Sequence, residues 1–145
     1  MTINEEKGNL FDLPEEYALA HCISEDCALG AGIAVEFQRR FKIRDILKEY
    51  IRNEPKRYPR TIWTNTMGRL VFNMITKEKY WHKPTRENFE LALEELIDLC
   101  KQLNVHKLGM PRIGCGLDRL QWSWVKNKIE EKFADMDIDI QVRYL

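Results

Sequence analysis

The chain has no long apolar run. No window approaches 18 consecutive apolar residues, so no membrane-spanning segment is expected and no membrane partner. The first seven residues, Met1 to Lys7, contain no apolar core of a secretory leader. Neither sign of charge is in excess: Lys plus Arg and Asp plus Glu both number 23, for a formal net charge of zero. That balance excludes a protein living mainly on non-specific phosphate attraction, while leaving room for a local basic patch. Cysteines are few, at four, and Cys22, Cys27, Cys100 and Cys115 form no C-x-x-C pair. With His21, His82 and His106 they complete no familiar zinc spacing, so neither metal nor cofactor is expected. A disulfide framework is not expected either, and reduced thiols point to the cytoplasm, or the nucleus in a eukaryote. Repeats, low-complexity runs and linkers are missing; the one loop-like shift in composition is Asn53 to Pro59.

What is present fits one domain. The chain has 145 residues, 44% of them apolar and 32% charged, enough to fold around a core without staples. Ala18 to Ile23 is short, apolar apart from His21 and followed by polar residues and glycines, the mark of a buried strand. Ile33, Phe37 and Phe41 recur at helical spacing directly after Gly30 and Gly32. Ile43, Ile46, Leu47, Tyr50 and Ile51 predict a second helix ending before Pro55. Thr61 to Thr64 and Arg69 to Ile75 read as an antiparallel hairpin with a turn at Asn65 to Gly68. Phe89, Leu93, Leu96, Ile97, Cys100 and Leu103 stripe a long helix with Thr85 as its N-cap. A short strand at Lys107 to Met110 follows, and then a last helix marked by Trp122, Val125, Ile129, Phe133 and Met136. Alternation of Ile138, Ile140, Val142 and Tyr144 with polar residues predicts a final strand. The sum is an α/β fold, a mixed sheet with helices on both faces.

Two glycine-rich turns fall where strands give way to helices: Ala28 to Ala34, and Ile113 to Leu117. Glycine lets backbone approach a ligand closely, and a helix start supplies unpaired N–H groups and a positive dipole end. Both turns lie at the carboxyl ends of strands, where open α/β sheets bind ligands. Taken alone, the glycines read either as simple tight turns or as two halves of a pyrophosphate cradle.

The order of motifs goes further. Gly8-Asn9-Leu10-Phe11 comes first, then Ala20-His21-Cys22-Ile23-Ser24-Glu25-Asp26-Cys27 with Gly30-Ala31-Gly32-Ile33-Ala34-Val35. Ile75-Thr76-Lys77 and His82-Lys83-Pro84-Thr85 follow, and the series closes with Met110-Pro111-Arg112-Ile113-Gly114-Cys115-Gly116-Leu117-Asp118-Arg119-Leu120-Gln121-Trp122. In these blocks the chain resembles the macrodomain family, in its terminal ADP-ribose protein glycohydrolase branch. The resemblance implies a three-layer α/β/α sandwich around a mixed six-stranded sheet, with ADP-ribose as ligand and its pyrophosphate between the two glycine turns. It places Asn9 and Leu10 at the adenine; family members usually carry Asp at the position of Asn9, and the neutral Asn carbonyl accepts the same hydrogen bond more weakly. Ser24 would touch the distal ribose. The remaining ligand contacts it implies are His21, Gly30, Ala31, Gly32, Ile33, Thr76, Pro111, Ile113, Gly114, Cys115, Gly116 and Leu117.

The same resemblance gives the chemistry to Lys77 and Asp118. The lysine amine would attack the anomeric carbon of the distal ribose, and the aspartate would move protons and help water release the lysyl-ADP-ribose intermediate. Only about one free lysine in a thousand is neutral at pH 7.4, so Lys77 needs apolar surroundings or neighbouring cations, which Lys79, Lys83 and Arg86 could supply. An adjacent Asp118 would oppose that shift and make the two titrate as a coupled pair. Without the resemblance, Lys77 is a solvated loop lysine, and Asp118-x-x-Gln121 is a capping box worth about 1 kcal/mol to the last helix. The two roles of Asp118 are compatible, since a cap would set its carboxylate at the helix mouth. His21 reads more readily as a hydrogen-bonded strand residue than as a catalyst. Cys115, near a helix start, stands where an electropositive place would lower its pKa, but it reads more readily as a small residue tolerated in a tight loop. Trp122 and Trp124 read as core and rim packing.

Three functions follow from the resemblance: a hydrolase removing mono-ADP-ribose from Asp or Glu esters and from O-acyl-ADP-ribose, a reader that binds ADP-ribose without turnover, and a hydrolase acting on ADP-ribosylated thymidine in DNA. Expected partners are ADP-ribose and ADP-ribosylated protein, with ADP-ribosylated nucleic acid as the other substrate class, and a monomeric state is expected.

Overall fold

A computed structural model of the chain describes residues 1–115 and 118–145. Strands β1 (Thr2–Lys7), β2 (Ala18–Ser24), β3 (Arg60–Thr66), β4 (Arg69–Lys77), β5 (Lys107–Met110) and β6 (Asp139–Tyr144) form one sheet in the order β1-β6-β5-β2-β4-β3. All neighbours run parallel except β3, which pairs antiparallel with β4. Helices α1 (Ile33–Phe41) and α2 (Arg44–Asn53), with Ile43 at the N-cap of α2, supply Phe37, Phe41, Leu47 and Ile51 to the core on one face. Helices α3 (Arg86–Gln102) and α4 (Trp122–Lys132) supply Phe89, Leu93, Leu96, Val125 and Ile129 on the other. Central strands with helices on both sides need apolar residues on both faces: in β2, Leu19 and Ile23 join the first core while Ala18 and Ala20 join the second.

The predicted elements form where local signals are strong. Thr85 caps α3, its hydroxyl accepting the Asn88 N–H at 3.0 Å. The hairpin turns at Met67 and Gly68, both with positive φ. Trp122 and Trp124 pack against the second core, partly buried.

Three readings of the sequence need correction. Strand β1 was not foreseen, because Ile3 is its one apolar residue before the polar run Asn4 to Lys7. As an edge strand it can afford charges, and it is held by in-register pairing from Thr2 with Asp139 to Lys7 with Tyr144. Helix α4 ends at Lys132, short of Met136, whose N–H turns back to the Phe133 carbonyl at 2.9 Å. Asp118 is not its cap: the helix starts at Trp122 with Gln121 as N-cap and no side-chain capping bond. The described part of the second glycine turn, Ile113 to Cys115, therefore lies ahead of the helix and not at its start. The Leu120 N–H closes that loop on the Gly114 carbonyl at 2.8 Å.

Candidate active site

At the carboxyl ends of β2, β4 and β5 lies a cleft of about 880 Å³ lined by both glycine-rich turns, Lys77 and Asp118. This volume suits a ligand of nucleotide size. A smaller hollow of about 280 Å³ sits at the amino ends of β2 and β5, against Glu15, Leu70 and Lys107.

The first wall of the cleft is the turn from β2 to α1. Backbone φ is positive at Cys27 (53°), Leu29 (47°) and Gly32 (63°), while the residues between them are not in that region. Alternation of this kind turns successive N–H groups to one side and makes an anion-binding concavity. Gly32 is the N-cap of α1, with φ 63° and ψ −151°, a conformation open essentially to glycine alone, and no side chain caps the helix. The helix start thus keeps its positive end toward the cleft.

The Asp26 carboxylate holds this turn. It accepts the Ser24 hydroxyl in a short hydrogen bond, the Ala28 N–H at 3.3 Å and, from the segment that follows β4, the Tyr80 N–H at 3.1 Å. Burial works to raise the Asp26 pKa, but the bonds from Ser24, Tyr80 and Ala28 and the charge of Lys79 outweigh it and hold it below its usual value. Backbone pairing reinforces the link, with the Glu25 N–H on the Lys77 carbonyl at 2.9 Å and the Asp26 N–H on the Glu78 carbonyl at 3.2 Å.

Lys77 ends β4. The β2–β4 register shifts between Ile23 and Ser24: Ile23 faces Ile75 but Ser24 faces Lys77, leaving Thr76 as the extra residue of a bulge. Thr76 is fully buried, and Lys77 reaches the cleft beside Ser24. Its Nζ lies 2.5 Å from Asp118 Oδ1, the two side chains 13% and 12% exposed. A primary amine and a carboxylate thus meet inside a cleft wall, 41 residues apart in the chain.

The second wall is Pro111 to Gly114, with φ +74° at Gly114. Arg112 is set by Glu5 of β1 at 3.5 Å and by the Tyr144 ring, 3.9 Å below its guanidinium. Glu5 also accepts the Trp122 indole N–H at 3.1 Å and pairs with Lys126 at 2.9 Å, so the unforeseen strand steadies this side of the cleft.

Of the residues singled out in the sequence, Lys77, Asp118, Ser24, Gly30, Ala31, Gly32, Ile33, Pro111, Ile113 and Gly114 line the cleft together. Gly116 and Leu117 lie outside the described residues. Asn9, Leu10, His21, Thr76 and Cys115 do not line it. Asn9 turns its carbonyl back onto the Phe11 N–H at 2.9 Å, capping a 3-10 turn, and Leu10 is buried in the core. His21 is fully buried, stacked 3.8 Å from Phe37 and bonded to Asn73 at 2.7 Å; burial lowers its pKa to about 4. Burial is the largest influence on Cys115 and pushes its thiol up to about 11, against the lowering that a helix start would give. Cys22, which does line the cleft, is also raised well above its ordinary value by burial and by Asp118, so neither sulfur offers a thiolate at neutral pH. Tyr80, Trp81, His82, Arg112 and Arg119 also line the cleft, and no sequence signal marks them, because an aromatic or basic residue in a turn has no periodicity. For Asp26 as the clamp, the spacing Ser24-x-Asp26 is the available hint.

Comparison with known proteins places this geometry. No family model matches the chain. It is 46% identical over 137 residues to the human ADP-ribose glycohydrolase OARD1, covering 94% of this chain and 87% of that protein. It is 31% identical over 139 residues to the DNA ADP-ribosyl glycohydrolase of Thermus aquaticus, covering 90% of this chain but 38% of that longer protein. Among solved structures, the macrodomain of Mycobacterium tuberculosis DarG superposes with a TM-score of 0.88 at 20% identity, over 98% of this chain and 97% of the other. The six-stranded mixed sheet between two helical layers and the OARD1-like sequence agree: the chain belongs to the macrodomain family.

Proposed function

We propose that this protein is an ADP-ribosyl hydrolase that removes mono-ADP-ribose from Asp and Glu esters on proteins, and cleaves O-acyl-ADP-ribose, through a transient lysyl-ADP-ribose intermediate. The observation that carries the reading is the Lys77–Asp118 pair at 2.5 Å in the wall of the cleft. A site that only read ADP-ribose would need neither group, since the glycine turns suffice for binding. The similarity to the ADP-ribose glycohydrolase OARD1, at 46% against 31% for the DNA-directed relative, supports a hydrolase and sets the DNA-directed reading second.

In this mechanism the two turns hold the diphosphate, and Ser24 lies beside Lys77 at the distal ribose. Asp118 takes a proton from the Lys77 ammonium. The amine lone pair then forms a bond to the anomeric carbon as the carbon–oxygen bond to the ester breaks, its electron pair leaving on the carboxylate of the target. In the second half, Asp118, its proton passed to solvent, takes a proton from a water molecule as the water oxygen bonds to the same carbon; the carbon–nitrogen bond breaks with its electron pair returning to the amine, which regains a proton from Asp118 as ADP-ribose is released. Lys79 is close enough for its charge to be felt at Asp26, and Arg112 adds positive charge at the opposite wall. Cys22 and Cys115 stay protonated and take no part.

The test is a side-by-side turnover assay on a Glu-linked ADP-ribosylated protein and on a thymidine-linked ADP-ribosylated oligonucleotide. Release from the protein ester is expected to be faster, and Lys77→Ala to abolish it while still binding ADP-ribose. Equal or faster release from DNA, or full activity in Lys77→Ala, overturns the proposal.

A further inference from the structure

The cleft has a feature that the reaction at Lys77 leaves unused. Tyr80 and Trp81 follow Lys77 by three and four residues and line the same cleft, yet they are 62% and 63% exposed. Core packing does not account for them. Their rings stand edge to face at 5.0 Å and 87°, and Trp81 makes a second such contact with His82 at 5.4 Å. The segment is braced as well. Asp26 accepts the Tyr80 N–H at 3.1 Å, the His82 N–H donates to the Lys79 carbonyl at 3.0 Å, and His82 Nδ1 accepts the Lys79 N–H at 3.3 Å. The carboxylate that fixes the first glycine turn thus also fixes the aromatic rim, so ligand cradle and rim are one preorganised unit.

We propose that Tyr80 and Trp81 form a recognition wall for the polypeptide that carries the ADP-ribosyl ester, and so set specificity on the side of the leaving group. This rests on the hydrolase reading above. The ester bond that breaks lies next to Lys77, and a side chain bearing it must enter by the mouth, past residues 80 and 81. Large, rigid, amphipathic rings bury area against a peptide at little entropic cost. A nucleic acid strand would stack on the same rings, but it also calls for a run of cations along its phosphates. Cations line the cleft at Lys77, Lys83, Arg112 and Arg119, but Lys77 is paired with Asp118 and Arg112 with Glu5, and beside the aromatics Glu78 and Lys79 alternate in sign. The wall therefore fits a polypeptide.

The experiment compares the native rim with the Tyr80→Ala/Trp81→Ala variant in two settings. In turnover assays on the otherwise native enzyme, KM for the Glu-ADP-ribosylated protein is expected to rise about tenfold with kcat little changed, while KM for O-acetyl-ADP-ribose stays within about twofold. In the Lys77→Ala background, where nothing is consumed, a Glu-ADP-ribosylated peptide is expected to bind tighter than free ADP-ribose, and the rim variant to lose that margin. Unchanged KM for the protein ester with an unchanged margin overturns the proposal. An equal loss of free ADP-ribose affinity also overturns it, by placing the rings on the nucleotide; so does a loss confined to an ADP-ribosylated oligonucleotide. Absence of turnover in the native enzyme would sink the hydrolase reading alone, since the binding margin is measured without catalysis.

Discussion

Replacing Asp118 by alanine separates the two halves of the proposed reaction. Asp118 is the carboxylate 2.5 Å from Lys77 Nζ, and both side chains keep about an eighth of their surface exposed in an open cleft. Breaking a fully buried pair costs about 3–5 kcal/mol, but water reaches this one, so a stability loss of about 1 kcal/mol is expected and the fold survives. The chemistry suffers far more. A general base accounts for about 10²–10⁴ in rate, or about 3–5 kcal/mol of barrier. The loss falls unequally on the two steps. The first step keeps its nucleophile, the Lys77 amine, in place. Nothing comparable replaces the base that steers water in the second. The covalent intermediate should therefore accumulate: intact-mass spectrometry of Asp118→Ala mixed with Glu-ADP-ribosylated protein is expected to show the enzyme heavier by ADP-ribose less one water. Peptide mapping should place the addition on Lys77. Turnover within about threefold of the native enzyme, or an adduct on another residue, refutes the reasoning.

Other perturbations probe the supports of the site. Gly32→Ala forces a Cβ into backbone at φ 63°, ψ −151°; it should cost about 1–3 kcal/mol in urea denaturation and weaken ADP-ribose about tenfold by calorimetry. Gly109→Ala would set a Cβ 2.4 Å from Leu13 Cδ1 and 3.0 Å from Leu19 Cδ2 inside the core, and the urea midpoint should report a loss of about 1–3 kcal/mol. His21, with its folded pKa lowered to about 4, binds fewer protons than the unfolded chain between pH 6.5 and 4. Its contribution is intact above about pH 6.5 and is lost as pH falls toward 4, by about 3 kcal/mol in all. An NMR titration of its imidazole should show no protonation above about pH 5, and an ordinary midpoint near 6.5 would refute the buried placement.

Much of the architecture was legible because its signals are local. Apolar spacing marks α1 to α4, the hairpin turn is written in Asn65 to Gly68, and Thr85 caps α3 as its position suggests. Strand β1 was not legible, because a polar edge strand is defined by its partner β6 rather than by its own pattern. Within the site, motif order located the two glycine turns and the pair Lys77 and Asp118. It did not say which motif residues are buried: His21 and Leu10 stand in the motifs yet lie in the interior.

Sequence alone determined an α/β chain with two glycine turns at strand ends, because backbone freedom and apolar periodicity act over a few residues. Only the tertiary structure decided that a bulge at Ile23 and Ser24 buries Thr76 and frees Lys77, and that Asp118 leaves the helix it was expected to cap to meet that amine. It also decided that one carboxylate, Asp26, ties the cradle to the aromatic rim. Each of these depends on contacts between segments far apart in the chain, whose distances are set by the stacking of helices on the sheet and not by any local preference.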